Sequence, residues 1–559
     1  MDSSDDEHTT QVAMSHEDDI SHRLHRYECV LGYLLLTILA GLHVTVLFSA
    51  GGLWRDEVNT VQLSNLANLA DIWPHLQFDS FPIVWFLLVR VWTEIFGQDW
   101  YRWLGFIIGL GIVWLLCLNS RRLGGATPLI ALLLLALNPA FIRYGDSMRA
   151  YGFGIGTFIV TFGLIWRVVT APTRLNVLAA TVAAVLSVQA LYYNAVLLLA
   201  VCAGGAALAL RHKQWLRIGF LIGIGLIAAV SLLPYSSTIK DAAAWNGIVQ
   251  MQSYDLSWFW AQFSRVIGTS GDITTLSWIL LSIIALLVGF GVQVRPGWFR
   301  ATPAQVDLAL FSVIALVVGS ISYFIFLKIL SYYATPPWYY FALMALVAIN
   351  LDILITIFAN LRAGRIFRLT IVVTIILSTF GATVATTRLQ HSNIDIISGQ
   401  LKKMATSNDL ILVNVWYYGI PFAYYFTGSA PWMTLPPISD HRFHRYDQVK
   451  DQMLRSNPSD ALQPALDAVS ATLRSGHTVW VVGDVLFLRP GETPQVMPQG
   501  SIRPQSEAPY YTAWGQQMGS FLQLNASRIE RFVVSSAAPM GPYEDVGIIK
   551  IQGWNKSND

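Results

Sequence analysis

The stretch Trp54-Arg55-Asp56-Glu57 follows shortly after the apolar run VLGYLLLTILAGLHVTVLF at residues 30–48. An apolar run of this length predicts a helix that crosses a membrane. Three consecutive ionisable side chains therefore stand where that helix leaves the lipid. They either contact a charged partner at the membrane surface or mark the solvated end of the helix, and the rest of the sequence has to decide between these two interpretations.

Composition extends the membrane prediction to the whole chain. Of the 559 residues, 54% are hydrophobic and only 13% are charged, and the apolar residues recur in runs of about 18 to 22. The sequence therefore predicts a polytopic α-helical membrane protein. The formal net charge is +2, and the basic residues are dispersed, which argues against a nucleic-acid partner. The three cysteines, Cys29, Cys117 and Cys202, lie in or beside predicted spans, so they cannot build a disulfide framework or a thiolate metal site.

Charge at the ends of the apolar runs predicts the topology. Residues 1–28 are acidic and polar, which is typical of a disordered cytoplasmic tail. Basic clusters follow five later runs, at Arg121 and Arg122, Arg167 and Arg174, Arg211 and Lys213, Arg295 and Arg300, and Arg362 and Arg365. If these clusters are all cytoplasmic, successive spans can alternate in direction only when residues 82–97 do not cross the membrane. We therefore expect residues 82–97 to form an amphipathic helix at the outer interface. The sequence then predicts about eleven spans within residues 29–387, with the N-terminus inside.

Residues 388–559 have a different pattern. Short β-branched runs at residues 410–415, 478–484, 531–535 and 546–551 alternate with a helical pattern at residues 461–473. This predicts a small soluble α/β domain on the outer side of the membrane. It contains no glycine-rich phosphate loop, zinc-ligand spacing or nucleophile elbow. We interpret it as a lid or a docking module for substrates.

The predicted outer loops at residues 50–102 and 143–150 carry the candidate site. Asp56 and Glu57 begin the first loop, and Asp146 and Arg149 lie in the second, so two acidic sites share one face of the membrane and can converge. Further candidates in or beside these loops are Asp71, His75, Asp79 and Tyr151. Glu57 either orients Asp56 or faces water, and His75 is a polar interface residue or a metal ligand.

The order of these elements resembles a known family. An Asp-Glu pair follows the first span, a proline turn precedes an amphipathic stretch ending in Phe96-Gly97, Arg102 opens the next span, and Asn138-Pro139 leads into Tyr144, Arg149 and Tyr151. This set resembles the GT-C glycosyltransferases, in particular the branch of protein O-mannosyltransferases and lipid A aminoarabinose transferases. The resemblance covers about residues 30–390. The chain departs from the family at Ser80-Phe81-Pro82, where many members have a charged residue or histidine before proline, and at Tyr192-Tyr193, where many have His-Tyr.

The resemblance implies an enzyme that takes a sugar from a polyprenyl-phosphate donor and attaches it to an acceptor hydroxyl. The acceptor is a glycolipid, lipopolysaccharide, another polysaccharide or a protein. A carboxylate has to orient or deprotonate that hydroxyl, and we expect Asp56 to do so, with Glu57 and Asp146 as its catalytic neighbours. A single displacement predicts inversion at the anomeric carbon.

The leaving lipid phosphate needs a cation on the outer side. Arg149 is the first candidate, because it belongs to the motif on which the resemblance rests. An ion pair with Asp146 within the protein is the competing interpretation. The other candidates for binding phosphate or sugar are Tyr151, Asp79, His75, Arg265, Lys328, Tyr332 and Tyr333. The sequence assigns no certain cofactor, but Asp56 and Asp146 are also the pair that could hold a divalent cation such as Mg²⁺ or Mn²⁺.

A transporter or flippase of lipid-linked sugars is the alternative function. That class predicts internal repeats and ionisable residues near the middle of the membrane, whereas this chain shows no internal repeat and its charges stand at the outer boundary. Compact loops and an outer domain without cysteine favour a bacterial inner membrane, with the candidate site and the C-terminal domain facing the periplasm. Membrane lipids are then further partners.

Overall fold

A computed structural model describes residues 4–79, 81–124, 127–246, 254–330, 336–455, 457–497, 507–534, 536 and 538–555. The helices up to residue 387 are α1 Ser4–Ser49, α2 Arg55–Ser64, α3 Leu69–His75, α4 Ile83–Phe96, α5 Tyr101–Leu123, α6 Leu129–Ala131, α7 Pro139–Gly145, α8 Tyr151–Thr170, α9 Arg174–Ala190, α10 Asn194–Arg211, α11 Trp215–Ser231, α12 Ser236–Asn246, α13 Leu256–Ile267, α14 Asp272–Val294, α15 Pro303–Leu330, α16 Phe341–Phe358 and α17 Arg362–Thr387. The C-terminal helices are α18 Ile394–Met404, α19 Gly419–Tyr425, α20 Tyr446–Met453, α21 Gln463–Arg474 and α22 Ala508–Asn525.

Within these described ranges, nine helical segments are long and apolar enough to cross a membrane. They are Arg26–Ser49, Gln98–Leu123, Tyr151–Thr170, Asn194–Arg211, Trp215–Ala242, Asp272–Val294, Pro303–Leu330, Pro337–Phe358 and Arg362–Thr387. The predicted class, a polytopic α-helical membrane protein, is confirmed. Their apolar side chains divide between buried positions and positions that only lipid could cover, such as Phe48, Leu377 and Phe290.

The two other predicted spans are shorter helices. One is α9, with 17 residues. The other is broken into α6, a π-helical turn at Leu132–Ala136 and α7. The break falls at Asn138-Pro139, because proline cannot continue a helix but suits its first turn, and the Asn138 side chain caps the new helix by accepting the Phe141 N–H at 3.0 Å. The number of about eleven spans and their orientation stay predictions.

The first helix includes most of residues 1–28, for which the disordered cytoplasmic tail stays a prediction. It begins at Ser4 and continues into the first span without a break. A helix is costly to nucleate and cheap to extend, so the apolar span supplies the nucleus from which the polar residues before it continue the helix.

Helix α4 lies within residues 82–97, for which the sequence predicts an amphipathic helix at the outer interface. With 14 residues it is short for a bilayer crossing. Leu87, Val91 and Ile95 expose one apolar face, whereas Trp85 and Val89 are buried against the protein.

The C-terminal domain contains a mixed five-stranded sheet. Its strands are β1 Leu410–Val413, β2 Trp432–Thr434, β3 Val479–Val482, β4 Ala526–Phe532 and β5 Ile548–Trp554, in the order β2-β1-β3-β5-β4. Strands β2, β1 and β3 are parallel, and β5 pairs antiparallel with β3 and β4. The predicted α/β class is confirmed, but β2 was not predicted, and β4 begins five residues earlier than the predicted run at 531.

Hydrogen bonds join the C-terminal domain to the loops at residues 50–102 and 143–150. The Leu53 N–H donates to the Tyr425 hydroxyl at 2.6 Å, and the Arg55 N–H donates to Glu544 Oε1 at 3.0 Å. The second outer loop is joined in the same way, since Arg143 Nη2 donates to the Gln390 carbonyl at 3.0 Å. The start of α2 therefore lies at the junction of the membrane domain and the C-terminal domain.

Candidate active site

Helix α2 directs Asp56 and Glu57 to different surroundings. The Trp54 N–H donates to Glu57 Oε2 at 3.1 Å, which closes the first turn. Successive residues on a helix are rotated by about 100°, so the two carboxylates cannot face the same side. The Glu57 side chain is 0% exposed, whereas that of Asp56 is 16% exposed.

Glu57 is fully occupied by structural partners. Its Oε1 accepts hydrogen bonds from Arg102 Nη1 at 2.6 Å and from the Met148 N–H at 2.8 Å. Because Arg102 belongs to α5 and Met148 to the second outer loop, Glu57 ties both segments to the start of α2. Its geometry supports an organising role, and of the two interpretations drawn from sequence it excludes the water-facing one.

Asp56 lies between the membrane domain and the C-terminal domain. Its Oδ1 is 3.2 Å from Nε2 of His444 and 3.5 Å from Nε of Arg55. Burial alone would raise the pKa of Asp56, but the hydrogen bond from His444 and the charges of Arg149 and Arg55 outweigh burial and hold that pKa below its usual range. Asp56 is thus an ionised carboxylate with partial access to solvent.

Arg149 contacts the backbone of Asp56 and is bound by acceptors of the first loop. Its Nη1 donates to Asp79 Oδ2 at 2.8 Å, to the Thr60 hydroxyl at 2.7 Å and to the Asp56 carbonyl at 3.0 Å. Its guanidinium also lies 4.4 Å from the ring centroid of Phe81. The intraprotein ion pair considered from sequence exists, but the partner is Asp79 rather than Asp146. Arg149 Nε is buried and has no hydrogen-bond partner in the described part of the chain.

Asp146 faces the first span and not the Asp56 carboxylate. Its Oδ2 lies 2.7 Å from Nδ1 of His43, and a β-carbon at Gly109 would collide with this pair. Burial raises the pKa of Asp146, although His43 opposes the shift. The structure thus gives Asp56 and Asp146 separate partners.

The two carboxylates that the sequence offers for a divalent cation each have other partners. Asp56 is flanked by His444 and Arg55, and Asp146 is paired with His43. Among the described residues, no group of three or more histidine, cysteine, aspartate or glutamate side chains could hold a metal ion.

The other predicted residues divide into two groups. Tyr151 lies in the site, with its ring 5.2 Å from that of Phe81. His75 packs 5.0 Å from the ring of Phe443 and contacts the Asp71 carbonyl through Nδ1, so it is a packed interface residue. Arg265 and Lys328 are exposed and make no ion pair to any described residue. Tyr332 and Tyr333 lie outside the described residues.

Several site residues of the C-terminal domain were not found from the sequence. His444 contacts Asp56, Glu544 accepts from the Arg55 backbone, and Tyr417 lies under the Arg55 guanidinium at 4.3 Å. The available signal was the segment HRFHRY at residues 441–446, where basic and aromatic residues alternate in a loop. A single sequence does not show which loop of a second domain docks on the first.

Glu544 predicts a pH-dependent stability. Burial raises the pKa of Glu544 to about 7, although Arg55 opposes the shift. Between the ordinary pKa of 4.5 and about 7, the folded protein keeps this proton and the unfolded chain loses it, so the free energy of unfolding falls as pH rises, by about 1.4 kcal/mol per pH unit. Glu544→Gln keeps the acceptor for the Arg55 N–H and should flatten this slope in thermal denaturation between pH 5 and 8. An unchanged slope would contradict the assignment.

Comparisons with known proteins bear on the fold. No family model and no curated protein sequence matches the chain. The apo crystal structure of ArnT from Cupriavidus metallidurans aligns with a TM-score of 0.50 and 13% identity, over 93% of this chain and 98% of that chain. ArnT bound to undecaprenyl phosphate aligns with a TM-score of 0.49 and 13% identity, over 93% and 97%. The oligosaccharyltransferase of Archaeoglobus fulgidus in complex with Zn and sulfate aligns with a TM-score of 0.49 and 12% identity, over 89% and 78%.

The alignment with apo ArnT covers nearly the full length of both chains, including the C-terminal domain. Identity this low shows a common architecture and does not transfer residues. This shared architecture agrees with the resemblance that the sequence shows in the order of its motifs around Asp56 and Arg149. The chain therefore has the fold of ArnT.

Proposed function

We propose that the chain is an inverting membrane glycosyltransferase that transfers a sugar from a polyprenyl-phosphate donor to an acceptor hydroxyl. The observation that carries the proposal is the ionised, 16% exposed carboxylate of Asp56 at the junction of the outer loops and the C-terminal domain. The likeness in fold to ArnT supports the class of enzyme. Another crystal structure of that enzyme contains undecaprenyl phosphate, and a donor of this chemical class is part of our proposal for this chain.

The lowered pKa of Asp56 favours one of the two roles considered for it, orienting the acceptor hydroxyl, over early removal of the hydroxyl proton. A carboxylate with a lowered pKa is a weak base, so it does not remove the hydroxyl proton early. It can still accept the hydroxyl hydrogen bond and orient the oxygen toward the anomeric carbon. Once the new C–O bond has formed, the attacking oxygen is strongly acidic, and even this carboxylate takes its proton. The bond to phosphate breaks in the same step, and its electron pair leaves with the lipid phosphate.

Arg55 is the cation that we assign to the leaving phosphate, in addition to Arg149. The Arg149 charge is neutralised by the buried carboxylate of Asp79 at 2.8 Å. Arg55 is 21% exposed, and its one ion pair among the described residues is the longer contact of Nε with Asp56 Oδ1 at 3.5 Å. Its guanidinium suits the planar, bidentate recognition of a phosphate group. Its position next to Asp56 places a cation beside the carboxylate that orients the acceptor.

The outer face of a bacterial inner membrane is the proposed location of the reaction. This follows the predicted orientation, in which the loops at residues 50–102 and 143–150 and the C-terminal domain at residues 388–559 all lie outside. The acceptor is then a glycolipid, lipopolysaccharide, polysaccharide or protein of the envelope. The C-terminal domain covers the Asp56 carboxylate, which supports the role of a lid or docking module.

The test is a transfer assay with the purified full chain in liposomes. The donor is the total polyprenyl-phosphate-sugar fraction extracted from the source cells, and the acceptor is membrane from cells that lack the gene. We expect free polyprenyl phosphate to appear and the acceptor to gain the mass of the sugar, with inverted anomeric configuration by NMR. Movement of the intact donor across the liposome without cleavage would instead establish a flippase.

A further inference from the structure

The C-terminal domain contributes a side chain directly to Asp56. Nε2 of His444 lies 3.2 Å from Asp56 Oδ1, and the histidine is 7% exposed. Because Asp56 is ionised, Nε2 has to be the donor in this contact. The contact with the carboxylate therefore determines that Nε2 of His444 carries a proton.

The position of His444 is determined by both domains. Its backbone N–H donates to Asn59 Oδ1 at 3.0 Å, so α2 holds the loop in place. Its ring is parallel to that of Tyr446, with centroids 5.8 Å apart, and it meets the Trp416 ring edge-on at 6.4 Å. A ring held on two sides in this way can direct a hydrogen bond along one line.

Few other contacts orient the Asp56 carboxylate. Apart from His444, its only ion-pair partner among the described residues is Arg55, at the longer distance of 3.5 Å. Arg149 contacts the Asp56 backbone carbonyl and not the carboxylate. The rotation of the carboxylate therefore depends mainly on the histidine.

On the basis of the proposed glycosyl transfer, we propose that His444 is a positioning residue that holds the Asp56 carboxylate toward the acceptor hydroxyl. The second carboxylate oxygen is then directed at the hydroxyl and receives its proton as the new bond to the anomeric carbon forms. The bond to phosphate breaks and the phosphate carries away the electron pair. The catalytic carboxylate is in place only when the C-terminal domain is docked, so docking and transfer are coupled.

The charged surroundings of Asp56 determine what removal of His444 does to its titration. The groups that interact with Asp56 electrostatically are Arg55, Arg149, His444, Glu544, Tyr144, Tyr151 and Tyr543. Of these, His444 supplies the hydrogen bond. Without that donor, burial is less opposed and the carboxylate is harder to ionise.

Two substitutions separate the hydrogen bond from the packing. His444→Leu fills the space without a donor, and His444→Gln places an amide N–H where Nε2 was. In the transfer assay with extracted polyprenyl-phosphate sugars, we expect His444→Leu to lower kcat by about 10- to 100-fold and to move the acid limb of the kcat profile upward by about one to two pH units. His444→Gln should keep an acid limb near that of the wild type.

The matched control is His441→Leu. His441 is in the same loop, packs 4.6 Å from the ring of Trp432 and does not contact Asp56, so its pH profile should be unchanged. Asp56→Asn is assayed in parallel, and size-exclusion chromatography verifies that each variant is folded. If His444→Leu and His444→Gln lose equal activity with an unshifted profile, or lose none, the positioning role is wrong. If Asp56→Asn is fully active, the proposed function of the site fails, and the role of His444 fails with it.

Discussion

Asp56→Asn should lower the rate of sugar transfer by about 10²- to 10⁴-fold while the protein remains folded. Asparagine has the size of aspartate, and its backbone carbonyl still accepts the hydrogen bond from Arg149, which measures 3.0 Å in the wild type. The change therefore removes the negative charge and little else. Without that charge, no group at this position can take the proton of the acceptor hydroxyl. The initial rate of polyprenyl phosphate release measures the effect.

A second aspartate in the same outer loop provides the control for this experiment. Asp99 is exposed on the short turn at Gln98–Trp100, so Asp99→Asn should transfer sugar at the wild-type rate. Full activity of Asp56→Asn in correctly inserted protein would remove Asp56 from the reaction. Equal losses in both variants would indicate a general effect of charge on the outer loop.

The long apolar runs made most of the membrane domain predictable. Each such run contains enough hydrophobic residues to determine a helix regardless of what surrounds it. The short strands were harder, because their pairing depends on distant partners. Strand β2 has three residues, too few for an alternating pattern. Strand β4, ASRIERF, is an edge strand whose exposed charges are typical of such positions, and these charges hide it from a search for apolar runs.

The candidate site was predictable in location but not in roles. The sequence identifies Asp56 and Glu57 as a pair, and only the rotation of α2 shows that the first is partly exposed and the second buried. Asp146 was expected beside Asp56, yet its partner is His43 on the first span. His444 could not be assigned, since its contact with Asp56 arises from docking of two domains that are far apart in the chain. Local patterns carry no information on such contacts.

Glu57→Ala should destabilise the protein by about 3 to 5 kcal/mol, in contrast to the change at its neighbour. The Glu57 carboxylate is 0% exposed and receives three hydrogen bonds, from the Arg102 side chain and from the N–H groups of Trp54 and Met148. Alanine leaves these donors without their acceptor in a buried place, where each lost partner carries a desolvation cost. Arg102 also donates to the Gly51 and Gly52 carbonyls, which limits the loss. Thermal unfolding of the purified protein in detergent measures the loss of stability.

Glu94→Ala is the matched control, because it removes a glutamate–arginine pair from the same loop at the surface. The Glu94 side chain is 61% exposed and its partner is Arg90, at 3.0 Å. Exposed pairs of this kind contribute less than about 1 kcal/mol, so Glu94→Ala should melt close to the wild type. Equal melting temperatures for the two alanine variants would contradict the organising role of Glu57. A Glu57→Ala protein of wild-type stability but without activity would instead make Glu57, and not Asp56, the carboxylate that acts on the acceptor.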